Sequence, residues 1–279
     1  MDTHVFLAVL AAALLHAGWN SVVKVGLDRF STVLLLALVQ AAIAIPALLL
    51  VPSPAPASWP WIATAALLHT GYKLFLVQAY AHADLSQAYP IARGTAPLMV
   101  FFISVLFLGV AFEFSEIAAI STISLGIFLM AFGGAGGRRM QGKALFYAIG
   151  TAAFTASYTL VDGIGARLAA TASGFILWMV IGDAAGMVGY ALHKRGIGAL
   201  SALVPAWRTG VSAGAMSLGS YWIAVWAFTK APIALVAALR ETSILFAILI
   251  AAFLIREPVS GLRWASASLI ALGVAFSKF

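Results

Sequence analysis

Apolar residues in this chain fill solid blocks rather than recurring on one helical face or at alternate positions. The blocks fall at 3–24, 32–51, 59–82, 85–109, 115–134, 142–162, 173–192, 207–229, 232–255 and 260–277, separated by charges, Pro/Gly clusters or both. Each is close to the roughly 20 residues that cross a hydrocarbon core of about 30 Å as a helix. The pattern predicts an all-α membrane protein with ten transmembrane helices. A transmembrane barrel would show segments of about ten residues with alternating polarity, and none is present. The first block has no basic stretch before it and no small-residue cleavage site, so it is expected to be a retained helix. Pro52, Pro54, Pro56 and Pro60 mark one tight connection, and Gly133 to Gly137 followed by Arg138-Arg139 marks the central one.

Laid side by side, the two halves repeat. Ala17-Gly18-Trp19 answers Ala156-Ser157-Tyr158, Arg93-Gly94-Thr95 answers Arg240-Glu241-Thr242, and Leu125-Gly126-Ile127 answers Leu272-Gly273-Val274. Five helices is an odd number, so the second half enters the membrane in the opposite sense. The expectation is a 5+5 inverted-topology repeat, the architecture of many secondary transporters, whose substrate sites lie at the repeat interface near the midplane.

Charge then orients the chain. Lys24, Arg29, Arg138, Arg139, Lys143, Lys194, Arg195, Arg208, Arg256 and Arg263 lie in or beside odd-numbered connections, and Arg167, Lys230 and Lys278 lie on the other side. The positive-inside rule puts the crowded side in the cytoplasm, so both termini are expected in the periplasm of a bacterial inner membrane.

Composition agrees with lipid as the solvent: 63% of residues are hydrophobic and 9% charged, with a mean hydropathy of +1.04, against about half apolar and a quarter charged in soluble domains. The net charge of +7 is scattered over short loops without a basic stripe, so no nucleic-acid partner is expected. There is no cysteine, which removes disulfides and thiolate metal sites. No metal-spaced His/Glu cluster, phosphate loop or nucleophile motif occurs, so the expectation is a protein without enzyme activity or cofactor. The partners to expect are a small-molecule substrate and the bilayer. A monomer is the default, since nothing in the sequence fixes an oligomeric state.

A charge at hydrocarbon depth needs a partner, a wet cavity or a function. The candidates are His16, His69, Lys73, Arg93, Asp183, Arg240 and Glu241. Arg93 or Arg240 could hold a substrate carboxylate by a bidentate fork and Glu241 an ammonium, which would suit a zwitterion. The competing reading is an internal Arg–Glu or Lys73–Asp183 pair that fixes helix packing. Residues 240 and 241 point about 100° apart on a helix, so they are not expected to share one ligand. Trp19, Tyr72, Tyr80, Tyr89, Tyr158, Trp178, Tyr221 and Trp222 are candidate cavity walls for flat apolar substrates, with an interfacial belt as the alternative. That belt is the reading for Trp59, Trp61, Trp207 and Trp264.

These features resemble the drug/metabolite transporter superfamily, its ten-helix EamA-type members, and within those the YddG-like amino acid exporters, especially exporters of aromatic amino acids. The likeness is carried by Ala-Gly-Trp-Asn at 17–20, which adds Asn20 to the candidates, by Tyr89-Pro90-Ile91-Ala92-Arg93-Gly94-Thr95-Ala96-Pro97, by Arg240-Glu241-Thr242-Ser243 and by Arg256-Glu257-Pro258. In the first half the glutamate that answers Glu257 is displaced to Glu113. The resemblance implies EamA-like repeats at 1–137 and 138–279. It further implies a central cavity lined by helices one to four and six to nine, and export of amino acids by alternating access. Other metabolites or amphipathic drugs are the alternative cargo, and a non-transporting scaffold the alternative class. Small dimeric relatives place a proton-coupling glutamate in the first helix, where His16 is this chain's only titratable group away from the helix ends.

Overall fold

The computed structural model describes residues 1–22, 27–82, 85–134, 141–254 and 256–278. Lys24, Arg138, Arg139 and the expected boundary between 137 and 138 lie outside them. Every described element is helical. The long ones are α1 (Thr3–Val22), α2 (Arg29–Ala47), α3 (Trp59–His82), α4 (Leu85–Leu106), α5 (Phe114–Gly134), α6 (Gly142–Leu168) and α7 (Ala172–Arg195). After a short α8 (Gly198–Ser201) come α9 (Trp207–Phe228), α10 (Ile233–Arg240), α11 (Ser243–Leu249) and α12 (Gly261–Phe276).

Local chemistry sets the ends. The Asp28 carboxylate caps α2, accepting from the amides of Phe30 and Ser31 at 3.0 and 3.2 Å. Pro46 near the other end of α2 removes a donor, and the chain tightens into a 3-10 turn at Leu48–Leu50. Thr171 caps α7 through Gly174 N–H. That helix closes on His193, Lys194 and Arg195, which complement its negative end, before Gly196 turns at φ +69.

Among the described residues, seven helical segments are long and apolar enough to cross a membrane, and Phe114–Met130 and Gly261–Phe276 are shorter apolar helices. The 24-residue α3 is not among the seven, because His69, Lys73 and His82 lower its hydropathy. Their side chains turn toward neighbouring helices. Outward-facing positions are apolar, as at Leu49, Phe107 and Leu254, which are 88%, 78% and 79% exposed.

The helices pair α1 with α9, α2 with α7, α3 with α6, α5 with α12 and α4 with α10. Small residues allow the close crossings. Gly210 and Gly214 of α9 receive Leu35 and Val39 of α2, and Gly182 and Gly186 of α7 receive Ala66 and Thr70 of α3. Gly126 and Gly273, aligned when the two halves of the sequence are laid side by side, both hold the α5–α12 crossing. A Cβ would stand 3.1 Å from Ser266 O at the first and 3.0 Å from Ala119 O at the second. Gly219 meets only Leu15, at 3.8 Å.

Two features differ from the sequence pattern. Helix α6 runs to Leu168 rather than ending near 162, so Asp162 lies well inside it. The block at 232–255 is not one straight helix: it breaks at Glu241 and Thr242 and ends in a π-turn at Ile250–Leu254. At the break the Thr242 hydroxyl donates to Leu239 O at 2.7 Å, taking a carbonyl that a continuous helix would use.

Candidate functional site

A cavity runs between α1, α2, α3, α4, α6, α7, α9 and α10, while α5 and α12 pack on each other outside it. Its inner chamber of about 110 Å³ reaches His69, Tyr158, Asp183, Tyr221 and Arg240. A vestibule of about 330 Å³ shares His16, Trp19, Tyr72 and Arg93 with the chamber and widens past Asn20, Arg29, Tyr80 and Tyr89. The mouth is thus at the ends of α1, α2, α3 and α4 that bear the odd-numbered connections.

The opposite end is shut by packing and hydrogen bonds. Arg167 at the end of α6 donates to the carbonyls of Phe228 and Ala231 at 2.9 and 3.0 Å, tying α6 to the α9–α10 connection. Ala55 N–H donates to Ala169 O at 3.1 Å, joining the α2–α3 and α6–α7 connections. Phe175 and Phe228 are fully buried there.

The intramembrane charges fall into distinct groups. Lys73 of α3 forms an ion pair with Asp183 of α7, and the Thr70 hydroxyl donates to the same carboxylate at 3.1 Å. Arg93 of α4 pairs with Glu241, Nε to Oε2 at 2.8 Å. The contact is chiefly electrostatic, since neither atom makes a well-directed hydrogen bond, and Arg93 also donates to Ser243 Oγ at 3.3 Å. Both internal pairs weighed from the sequence are therefore present, with Glu241 paired to Arg93 and not to its neighbour Arg240. Arg240 has no carboxylate partner among the described residues; its guanidinium lies 4.8 Å from the Tyr221 ring centroid.

A polar cluster closes the chamber floor. His69 stacks on Tyr158 with centroids 4.1 Å apart, and its Nε2 lies 2.9 Å from Asp162 Oδ2. The Tyr221 hydroxyl donates to that same oxygen. Near the mouth, Trp19 Nε1 donates to His16 Nδ1 at 3.4 Å and Asn20 donates to His16 O at 2.8 Å. Gln40 reaches across from α2 to Ser217 of α9 at 3.0 Å.

Of the residues singled out in the sequence, His16, Trp19, Asn20, Tyr72, Lys73, Tyr80, Tyr89, Arg93, Tyr158, Asp183, Tyr221 and Arg240 line this continuous cavity, as does His69. Three stand away from its wall. Trp178 packs edge-on against Trp59 at 5.1 Å, Trp222 donates to Ser173 Oγ at 2.9 Å, and Glu241 is buried in its pair with Arg93. Asp162, Gln40, Ser217 and Ser220 were not singled out. For Asp162 the available signal was the short uncharged stretch Gly163 to Ala166 continuing past it before Arg167.

The comparisons with known proteins agree with this architecture. A crystal structure of a protein with 17% sequence identity superposes over 100% of this chain and 99% of its own length with a TM-score of 0.77, which shows a shared fold. No curated protein sequence matches. Residues 4–132 match the EamA-like transporter family. Over residues 4–132, just under half of its length, the chain is therefore similar to EamA-like transporters, and its seven apolar helices of membrane-crossing length fit an integral membrane protein.

Proposed function

We propose that the chain crosses a bacterial inner membrane ten times as two five-helix repeats of inverted topology, 1–137 and 138–279, with both termini in the periplasm. The repeat reading is supported by where the matched residues lie. Trp19 and Tyr158 are both cavity walls, Arg93 and Arg240 both reach the cavity, and Gly126 and Gly273 hold the same crossing. In this arrangement the mouth faces the cytoplasm and the Arg167 closure faces the periplasm. Alternating access then requires the two ends to exchange roles.

The cargo is a neutral amino acid, with aromatic ones favoured, moving between outward-open and inward-open states. The observation that carries this reading is Arg240, a guanidinium at the chamber wall that lies over the Tyr221 ring and forms no salt bridge among the described residues. A half-buried cation at a cavity wall without a paired anion is a site for one. Around it Tyr72, Tyr158, Tyr221 and Trp19 offer ring faces, which suit an aromatic side chain and an ammonium group. Liposomes containing the purified protein should accumulate labelled phenylalanine above empty liposomes. Accumulation of lipophilic cationic drugs with no accumulation of amino acids would replace this reading by drug export, and no accumulation of any solute would remove the transport reading.

A further inference from the structure

Asp162 is the buried carboxylate that solute recognition leaves unused. It has no solvent exposure, and it sits behind the chamber floor, between the cavity and the closed end. Its Oδ2 takes both contacts, from His69 at 2.9 Å and from the Tyr221 hydroxyl, while Oδ1 is buried with no hydrogen-bond partner. A carboxylate oxygen withdrawn from water and left unpaired is costly in a structural ion pair, but it is a place where a proton can reside. His69 connects it to the cavity: its side chain is 11% exposed and its ring forms part of the chamber wall.

We propose that Asp162 is a transport proton site coupled to the solute site at Arg240, an inference that rests on reading the cavity as the transport path. A hydronium ion in the cavity gives up one proton to the Asp162 carboxylate, so that one O–H bond of the hydronium breaks, water is left behind and one O–H bond forms on the carboxylate. The same proton returns to water when the opposite end opens, and no other bond changes. The coupling is electrostatic. One face of the Tyr221 ring carries the Arg240 guanidinium at 4.8 Å, and its hydroxyl carries Asp162, so the two charges oppose each other across a single phenol. With Asp162 ionised, Arg240 is partly compensated. With Asp162 protonated, the guanidinium is left to a carboxylate from the cavity. Proton and solute carboxylate therefore bind cooperatively and travel together, and efflux down a solute gradient carries protons out.

The groups facing this site are few. Helix α3 supplies His69, α6 itself supplies Tyr158, α9 supplies Tyr221 and α10 supplies Arg240. Helices α4 and α7 also pack on α6, and their charges Arg93 and Asp183 are engaged by Glu241 and Lys73.

Two measurements on the full-length protein test this. Without any solute, infrared spectra recorded across a pH titration should contain a protonated carboxylic acid band that disappears in Asp162→Asn and shifts in Tyr221→Phe. Absence of that band in the wild-type protein, or its persistence in Asp162→Asn, overturns the proton site whatever the cargo is. In liposomes loaded with phenylalanine and an internal pH dye, efflux should raise the internal pH, and Asp162→Asn should exchange labelled for unlabelled phenylalanine without moving protons. Efflux that acidifies the interior, or proceeds with no pH change, overturns the coupling. Should Asp162→Asn not fold, Tyr221→Phe, which keeps the ring and removes the donor, should lower the protons moved per phenylalanine. An unchanged ratio there counts against the coupling. If the wild-type protein does not carry phenylalanine at all, the amino acid reading fails while the infrared band still decides the proton site.

Discussion

Arg93 on α4 and Glu241 at the break between α10 and α11 face each other at 2.8 Å, 8% and 5% exposed, and join the two halves of the chain deep in the helical assembly. This contact takes the carboxylate that could have neutralised Arg240, and it divides two matched arginines between different tasks. Arg93 holds the halves together, and Arg240 faces the cavity without a carboxylate partner.

Removing one partner of a buried ion pair leaves the other charge uncompensated, at a cost of about 3–5 kcal/mol. Arg93→Gln and Glu241→Gln should each lower the melting temperature of the detergent-solubilised protein strongly. The double replacement Arg93→Met with Glu241→Leu should recover much of the loss. Melting temperatures equal to wild type in both single variants would show that the pair does not hold the halves together.

The block pattern made most helices legible, because lipid demands long apolar segments and the chain punctuates them with Pro, Gly and charge. The break at Glu241–Thr242 was not legible: neither Pro nor Gly marks it, and it depends on the Thr242 hydroxyl taking a main-chain carbonyl. The pairing of Glu241 was only half legible, since its separation from Arg240 on the helix follows from helical geometry while its partner comes from another helix. Trp178 and Trp222 were indistinguishable from Tyr158 in sequence. Helices that are apolar all round have no pattern to tell which face looks into a cavity. Asp162 escaped because the helix that holds it was expected to end there.

Trp19 separates cavity function from packing. Its edge contact with His16, at 5.1 Å, is worth about 0.5–1.5 kcal/mol, so Trp19→Ala should cost little stability while sharply reducing transport per folded molecule. Parallel losses of melting temperature and transport would assign Trp19 to packing.

Outside the membrane, Arg195 at the end of α7 binds Asp28 at the start of α2 at 3.0 and 3.1 Å. The Arg195 hydrogen bond, helped by Ser31, holds the Asp28 carboxyl down at about 2. A depressed folded-state value stabilises the fold above the unfolded value of about 4 and loses that contribution as pH falls through about 2. Both side chains are about half exposed, so the effect is below about 1 kcal/mol. The melting-temperature difference between wild type and Asp28→Asn should be constant near neutrality and shrink between about pH 4 and 2. A difference that grows in acid contradicts the assignment.

Orientation rests on ten basic residues at one side against three at the other. A reporter active only in the cytoplasm, fused after the last residue, should be silent, and a periplasmic one active. The reverse result would invert the topology and place the mouth of the cavity on the outside.

The central claim is that Arg240 recognises a carboxylate in the cavity, and competition against labelled phenylalanine in liposomes tests it most directly. Phenylpropionate, which keeps the ring and carboxylate, should compete, and phenethylamine, which keeps the ring and ammonium, should compete far less. A charge-assisted bond contributes about 1.5–3 kcal/mol, so Arg240→Gln should weaken phenylalanine binding about ten- to hundredfold and erase the preference for phenylpropionate. Phenethylamine competing as well as phenylalanine, with Arg240→Gln unaltered in affinity, would contradict the account.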